Sequence, residues 1–263
     1  MKKTVRAILY LFFSGMVLGL AAIIGYWYYT HQPHIRNTLY NRSNNNDQKP
    51  SAYSEHGIPR GFENHPLGMD VSRYQGKIDW QQIKKEGKIQ FVFIKATQGK
   101  SLTDPLYWKN YFGSKNHQIL CGSYHYFIPY LDGALQAEHF LANSKIEKGD
   151  LRPVLDIEDM HWKGPAALRK EIDRFIQVVK QKTGQEVILY SGNNFYKKYL
   201  KNYYPHHTAW IAHYKIANIN HHINRWHIWQ YTETGKVKGV PGNVDLNLFN
   251  GTLQEFKMQL LIR

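Results

Sequence analysis

Cysteine is nearly absent from this 263-residue chain, and acidic residues are scarce beside basic ones. The single cysteine, Cys121, lies in the apolar run ILCGSYHYF, so an internal disulfide is excluded and we expect a small buried side chain. Only 20 Asp and Glu stand against 34 Lys and Arg, for a formal net charge of +14. Such a balance favours an anionic partner: nucleic acid, a membrane or an acidic cell-wall polymer. No basic–aromatic motif supports nucleic acid.

Charge is also absent from one long run near the amino terminus. Residues 7–29 (AILYLFFSGMVLGLAAIIGYWYY) contain no charged side chain and follow Lys2, Lys3 and Arg6. As a helix this run is about 35 Å long, enough to cross a hydrocarbon core of roughly 30 Å. A secretory signal has a shorter apolar core and ends at small residues, whereas this run ends in aromatic residues. We predict an uncleaved membrane anchor with the following chain in the periplasm or extracellular space; cleavage would give a secreted protein.

The next segment lacks an apolar period. Residues 30–63 are rich in Asn, Ser, Pro and His, a composition that buries too little apolar surface to fold. We predict a flexible tether over 30–63, and a single catalytic domain over 64–263.

Apolar runs of β-forming residues alternate with helical patterns in that domain. Five runs are LGMDV (67–71), FVFIKAT (91–97), ILCGSYHYF (119–127), PVLDIE (153–158) and VILYS (187–191). Helical patterns lie near 80–86, 105–116, 133–144 and 165–183. This alternation is typical of a parallel sheet. Three more runs follow with little room for helices: TAWIAHY (208–214), WHIWQYT (226–232) and VDLNLF (244–249). We therefore predict an α/β fold, an irregular TIM-like barrel of about five β/α units plus three further strands.

Carboxylates collect where these strands end, which is where barrels of this kind place their chemistry. Closure of the barrel makes its first and last strands neighbours, so Asp70 and Asp245 are expected to meet. The spacing Asp156–Ile157–Glu158 puts two carboxylates on one strand face, where like charges raise the pKa of one of them. That arrangement suits general acid catalysis. The alternatives are a buried ion-pair network with Lys95 or Arg152, and a divalent-metal site, which needs more converging acids or histidines.

Six segments in this order resemble glycoside hydrolase family 25, the lysozymes that cleave the glycan strand of peptidoglycan. They are GMDVSRYQG (68–76), FVFIKATQG (91–99), GSYHYF (122–127), PVLDIED (153–159), TAWIAHY (208–214) and IWQYTETGKVKGVPGNVDLNLFNG (228–251). The resemblance implies the same irregular barrel and hydrolysis of the β-1,4 bond between N-acetylmuramic acid and N-acetylglucosamine. It favours a substrate-assisted route over direct attack by Asp156, and both routes retain the anomeric configuration. One departure is Gln98, where the family often has Glu.

The resemblance also implies roles for individual residues. Glu158 would be the general acid/base, and Asp156 would orient or polarise the 2-acetamido group of the substrate. Asp70 and Asp245 would complete an acidic groove. Candidate substrate-binding residues are the strand-end Tyr124 and Gln230 and the possible sugar platforms Tyr74, Tyr126, Trp162, Trp210, Tyr214 and Trp229. For each aromatic residue the alternative is that it simply packs in the core. Tyr126 and Trp162 are the favoured sugar platforms because they lie beside the acidic strand end.

Two other classes of function compete with this interpretation. A catalytically silent glycan-binding module that tethers the envelope to peptidoglycan would keep the aromatic residues but would not need Glu158. A barrel phosphodiesterase would use Asp156 and Glu158 with a metal and a basic phosphate pocket. We expect a monomeric enzyme that acts on peptidoglycan, uses no metal or cofactor, and contacts the membrane through residues 7–29.

Overall fold

The computed structural model describes residues 52–54, 57–161 and 164–263. The predicted anchor at 7–29, most of the predicted tether and Trp162 lie outside these ranges. Within the ranges, no helix has both the length and the apolar character needed to cross a membrane.

Nine strands and five longer helices make up the described part of the chain. The strands are β1 (Leu67–Val71), β2 (Phe91–Gln98), β3 (Leu102–Thr103), β4 (Leu120–Tyr126), β5 (Val154–Asp156), β6 (Ile188–Gly192), β7 (Thr208–Ala212), β8 (Ile228–Gly235) and β9 (Val244–Phe249). The helices are α1 (Trp80–Glu86), α2 (Tyr107–Asn116), α3 (Gly133–Ala142), α4 (Gly164–Thr183) and α5 (Leu253–Leu260). The helices predicted from the sequence are all present.

Eight of the strands close into a barrel. β1, β2, β4, β5, β6, β7 and β8 pair in parallel in that order, and β9 pairs antiparallel with both β8 and β1. The two-residue β3, too short for a sequence pattern to reveal, pairs only with β2. β6 and β7 are joined by the helical turn Asn193–Phe195 and the π-helix Tyr196–Leu200, and β7 and β8 by a loop with the 3-10 turn Ile219–His221. The predicted mixed α/β barrel with an irregular end is confirmed.

Helix α4 shows why the helices lie outside the barrel. Its residues Leu168, Ile172, Phe175 and Val179 recur at helical spacing and are all fully buried, while the residues between them are largely polar. The helix therefore has one apolar stripe, which packs against the outward side chains of the strands.

Apolar side chains fill the barrel interior towards the amino ends of its strands. This inner cluster comprises Phe91, Phe93, Leu151, Val154, Ile188, Trp210, Ile228, Phe249, Phe256 and Leu260. Its packing is tight: a Cβ atom on Gly68 would lie 2.3 Å from the Phe91 ring. The amino end is therefore closed, and a polar ligand reaches the barrel only at the carboxyl ends of the strands, which we call the mouth.

The folded domain starts earlier than the predicted boundary at residue 64. Phe62 is buried, with its ring centroid 6.0 Å from that of Trp226 and 5.3 Å from that of Trp229. The Tyr53 hydroxyl donates to the Ile216 carbonyl at 3.3 Å. The sequence placed these positions in the tether because each apolar residue stands alone there, without a period. Their burial depends on the distant segment that covers them.

Candidate active site

Inward side chains of seven strands form a polar layer at the mouth. Pleating turns every second residue into the barrel, so six parallel strands contribute a residue towards their carboxyl ends, and the antiparallel β9 contributes two residues from its amino-terminal side. The members are Asp70, Lys95, Tyr124, Asp156, Tyr190, Gln230, Asn247 and Asp245. The predicted Asp70, Asp156, Asp245, Tyr124 and Gln230 are thus brought together. The sequence analysis considered Lys95 only as one partner in an alternative, a buried ion-pair network. Tyr190 and Asn247 were missed, although their alternation with Leu189, Ser191 and Leu248 is the signal that points them inward.

Asp70 is held by several hydrogen bonds at the mouth. Gln230 Nε2 and Asn247 Nδ2 each donate to Asp70 Oδ2 at 2.8 Å, and a further hydrogen bond joins its carboxyl to that of Asp245. Burial and then the charge of Asp70 raise the pKa of Asp245 to about 9. Burial also raises the pKa of Asp70, while its three hydrogen bonds act in the opposite direction. The pair therefore holds one proton at neutral pH, which resides on Asp245, and Asp70 accepts.

Asp156 and Glu158 form a second pair, at the end of β5. Asp156 is 6% exposed, whereas Glu158 is exposed. A side-chain hydrogen bond joins them, and burial followed by the charge of Glu158 raises the pKa of Asp156 well above its usual range. The two carboxyls are brought together as predicted, although β5 ends at Asp156 and Glu158 lies beyond the strand. Glu158 was expected to be the general acid, but burial places the shared proton on Asp156 in the free protein.

Lys95 brings a positive charge into this acidic layer. Its Nζ donates to Gln98 Oε1 at 2.8 Å and lies 4.8 Å from the centroid of the Tyr126 ring. Burial lowers the pKa of Lys95, and the Asp156 carboxylate, in its ionised form, is the largest influence that raises it. Lys95 is therefore an electrostatic partner of the Asp156–Glu158 pair. The other proposed partner, Arg152, lies at the far end of β5, where its Nε donates to the Glu186 carbonyl at 2.9 Å.

Tyrosines line the mouth between the two acidic pairs. Tyr190 donates to Gln230 Oε1 at 2.8 Å, and the Tyr214 hydroxyl donates to the same oxygen. This amide oxygen is thereby fixed, so Gln230 Nε2 points at Asp70. Tyr124 and Tyr126 are half-buried, and Tyr74, on the 3-10 turn Arg73–Gln75 after β1, is 70% exposed. Tyr74 and Tyr126 are therefore open to a ligand.

Two of the proposed sugar platforms are core residues instead. Trp210 is 2% exposed inside the barrel, with its ring centroid 4.8 Å from that of Phe93, and its Nε1 donates to Asn247 Oδ1 at 2.7 Å. Trp229 is fully buried on the outer face of β8 and packs against Phe62. Neither ring presents a face to solvent. Trp210 supports the site from below through Asn247, and Trp162 lies outside the described residues.

Comparisons with known proteins agree on one family. The model of "Glycosyl hydrolases family 25" matches residues 69–240. The Escherichia coli K12 protein "Uncharacterized protein YegX" is 38% identical over 204 residues, which cover 76% of this chain and 74% of that protein. "Lysozyme M1" of Streptomyces globisporus is 32% identical over 200 residues, or 70% of this chain and 68% of that one. The solved structure of a family 25 glycosyl hydrolase from Bacillus anthracis superposes with a TM-score of 0.68 at 32% identity, covering 74% of this chain and 93% of that one.

Proposed function

This chain belongs to glycosyl hydrolase family 25 and is a glycoside hydrolase of the lysozyme type, and from that membership we propose that it cleaves the β-1,4 bond between N-acetylmuramic acid and N-acetylglucosamine in peptidoglycan. One observation carries the proposal: the hydrogen-bonded pair of a buried Asp156 and an exposed Glu158 at the barrel mouth. Glycosidases need one carboxyl that supplies a proton and a second group that meets the positive charge of the transition state.

Glu158 is the proposed proton donor. It is exposed, so it reaches a glycan that lies across the mouth, and it shares a proton with Asp156. Burial holds that proton on Asp156 in the free enzyme. A bound glycan also removes Glu158 from water, which cancels the difference in solvation that favoured Asp156. The proton then passes to Glu158, and from Glu158 to the departing glycosidic oxygen.

Asp156 takes the second role once it has given up its proton. Its carboxylate accepts a hydrogen bond from the N–H of the 2-acetamido group and so turns the acetamido oxygen towards the anomeric carbon. That oxygen forms a bond to the anomeric carbon as the glycosidic bond breaks, and the leaving alcohol carries away the proton of Glu158. Glu158, now ionised, removes a proton from the water that opens the cyclic intermediate. Two displacements at one carbon retain its configuration.

The Asp70–Asp245 pair forms the opposite wall of the proposed groove. Because one proton stays on Asp245, the wall carries a single negative charge at neutral pH, centred on Asp70. A single charge stabilises a cationic transition state without the mutual repulsion of two ionised carboxylates. Gln230 and Asn247 hold the Asp70 carboxylate in place, so no reorganisation is needed during the reaction.

Residues 7–29 are proposed to anchor the enzyme, with its domain outside the cytoplasm where peptidoglycan lies. The uncharged length of this run and the basic residues before it support the assignment. The segment from residue 30 to the start of the domain would then act as the tether.

Digestion of purified peptidoglycan by the full chain tests the proposal. Mass spectrometry of the soluble fragments should find N-acetylmuramic acid at the new reducing ends, and NMR during the reaction should detect the β-anomer first. Fragments that end in N-acetylglucosamine would point to a different glycosidase. Binding to peptidoglycan without any soluble product would support a silent binding module.

A further inference from the structure

A long stretch of the chain contains no acidic residue. Residues 187–232 include five Lys and Arg but no Asp or Glu, whereas the average content of 20 acids in 263 residues would place three or four there. This stretch forms β6, β7, the first five residues of β8 and the connections between them; the next acid, Glu233, follows directly in β8. Because these strands are consecutive neighbours in the barrel, the acid-free sequence becomes one continuous sector of the surface.

The basic side chains of this sector face solvent. We call their surface the cationic face; its exposed members are Lys197, Lys198, Lys201, Tyr203, Lys215 and Arg225. Tyr203 is 55% exposed, and the Arg169 guanidinium from α4 lies 3.9 Å from its ring centroid, which adds a cation at the border. An amphipathic ring among cations is typical of surfaces that meet lipid headgroups.

Three acidic side chains border this face. Glu186 forms an ion pair with Lys180, Asp173 accepts a hydrogen bond from the Tyr204 hydroxyl at 2.8 Å, and Glu233 is exposed near the end of β8. No acid lies among the five cations of residues 187–232, so the face itself carries a net positive charge. Its natural complement is an external surface of negative charge.

The amino-terminal segment of the domain packs on this same sector. Tyr53 donates to the carbonyl of Ile216, which lies between β7 and β8, and the Phe62 ring lies against Trp226. The first described residues, 52–54, therefore lie beside the cationic face. With the proposed anchor at residues 7–29, this is the side of the domain at which the tether would arrive.

We propose that the cationic face docks on the anionic phospholipid headgroups of a membrane. Each basic side chain near such a surface contributes to the attraction, which falls off over about one Debye length and is therefore weakened by added salt. The basic side chains stand on the connections between β6, β7 and β8, so docking through Lys197, Lys198 and Lys201 beside the barrel leaves the mouth, at the strand ends, open to a glycan. Anionic wall polymer offers similar charge, but the position at which the chain enters the domain favours the lipid surface.

Two single-cysteine variants report on docking. Asn202→Cys lies in the cationic face, and Asn116→Cys lies at the end of α2, on the other side of the barrel; both asparagines are exposed. Cys121 is fully buried, and burial raises the pKa of its thiol to about 11, so a thiol-reactive fluorophore labels the introduced site. The labelled full chain is reconstituted in phosphatidylcholine vesicles with or without phosphatidylglycerol, and headgroup-attached quencher is present in both.

We expect several-fold stronger quenching at position 202 than at position 116, only with phosphatidylglycerol and only at low salt. Replacing Lys197, Lys198 and Lys201 by Gln should lower the docked population by roughly 100-fold. The matched control replaces Lys84, Lys85 and Lys88, exposed lysines outside this face, and should change nothing. Equal quenching at both positions, or no dependence on lipid charge, would overturn the proposal. The proposal would also be overturned if soluble anionic wall polymer shielded the fluorophore at position 202 and anionic lipid did not.

Discussion

Asp70 and Asp245 lie directly opposite each other across the antiparallel pairing of β1 and β9, and their carboxyl groups share a hydrogen bond. The predicted contact between the first and last strands is thereby confirmed. Two carboxyl groups form such a bond only when one is protonated, so this relationship ties barrel closure to the proton content of the mouth.

The first prediction concerns stability against pH. The pKa of Asp245 is about 9 in the folded protein and near 3.8 when unfolded, so between these values the folded state binds more protons. The contribution of this carboxyl to the free energy of unfolding should therefore be fully present below about pH 4 and should decline as the pH rises to about 9. Asp245→Asn should flatten that decline, as followed by Tm against pH. An unchanged slope would show that the proton is held elsewhere.

Asp70→Asn, in contrast, should lower turnover by about 100-fold.

Glu158→Gln should lower turnover by at least about 10²–10⁴-fold, because the amide cannot donate the proton. Its Tm should stay unchanged, since Glu158 is exposed, and it should still bind glycan. Asp156→Asn should be severely impaired. Reducing-end release from peptidoglycan measures all three.

The matched control is Asp159→Asn, next to the pair but engaged with His161, whose Nε2 lies 3.0 Å from Asp159 Oδ1. We expect near wild-type activity. Retention of most activity by Glu158→Gln, or loss of wild-type activity in chelator, would refute the acid assignment and favour the metal-dependent alternative.

Lys95→Met should move the alkaline limb of the kcat/KM profile to higher pH. The positive charge of Lys95 lowers the pKa of Asp156, so its removal lets the Asp156–Glu158 pair keep its proton to higher pH. Gln98→Glu should shift the limb in the same direction by less, because the new carboxylate would partly neutralise Lys95. Lys95→Arg keeps the charge and serves as control. A limb that does not move in Lys95→Met would mean that its charge does not reach the pair.

Trp210→Phe and Tyr74→Ala should separate support from substrate contact. Loss of the Trp210 indole N–H leaves Asn247 Oδ1 without that donor, which should cost about 1–3 kcal/mol in the free energy of unfolding. Tyr74→Ala should leave stability unchanged and raise KM, since the ring is 70% exposed at the mouth. Urea denaturation and initial rates distinguish the two. A stable Trp210→Phe with raised KM would restore Trp210 as a platform.

Residues 7–29 should remain in the mature protein as one membrane span. Protease added to spheroplasts should remove the domain, because the basic residues Lys2, Lys3 and Arg6 favour an amino terminus inside the cytoplasm. Survival of the domain would place it in the cytoplasm. A mature protein that begins after about residue 25 would instead identify a cleaved signal.

Local patterns were sufficient for the eight strands of the barrel, for four of the five longer helices and for the two acidic pairs; they did not reveal β3 or α5. The two-residue spacing of Asp156 and Glu158 decides their common face, because pleating is a property of the strand itself. The contact of Asp70 with Asp245 follows from closure, since a barrel leaves its first and last strands no other neighbours. The helical stripe of α4 was visible for the same reason: periodicity along the chain determines which side of an element is buried.

Only the tertiary structure decided which aromatic rings face a ligand and which acid keeps the proton. Trp210 and Tyr74 were equally good candidates for sugar platforms by sequence. In the structure, the rings of Phe93 and Tyr190 pack against Trp210, whereas Tyr74 is exposed. The pKa of Asp156 depends first on burial, which comes from strands far away in the chain. Phe62 joined the core for the same reason, through Trp226 and Trp229. Burial is a property of the assembled barrel, so no pattern of spacing along the chain contains it.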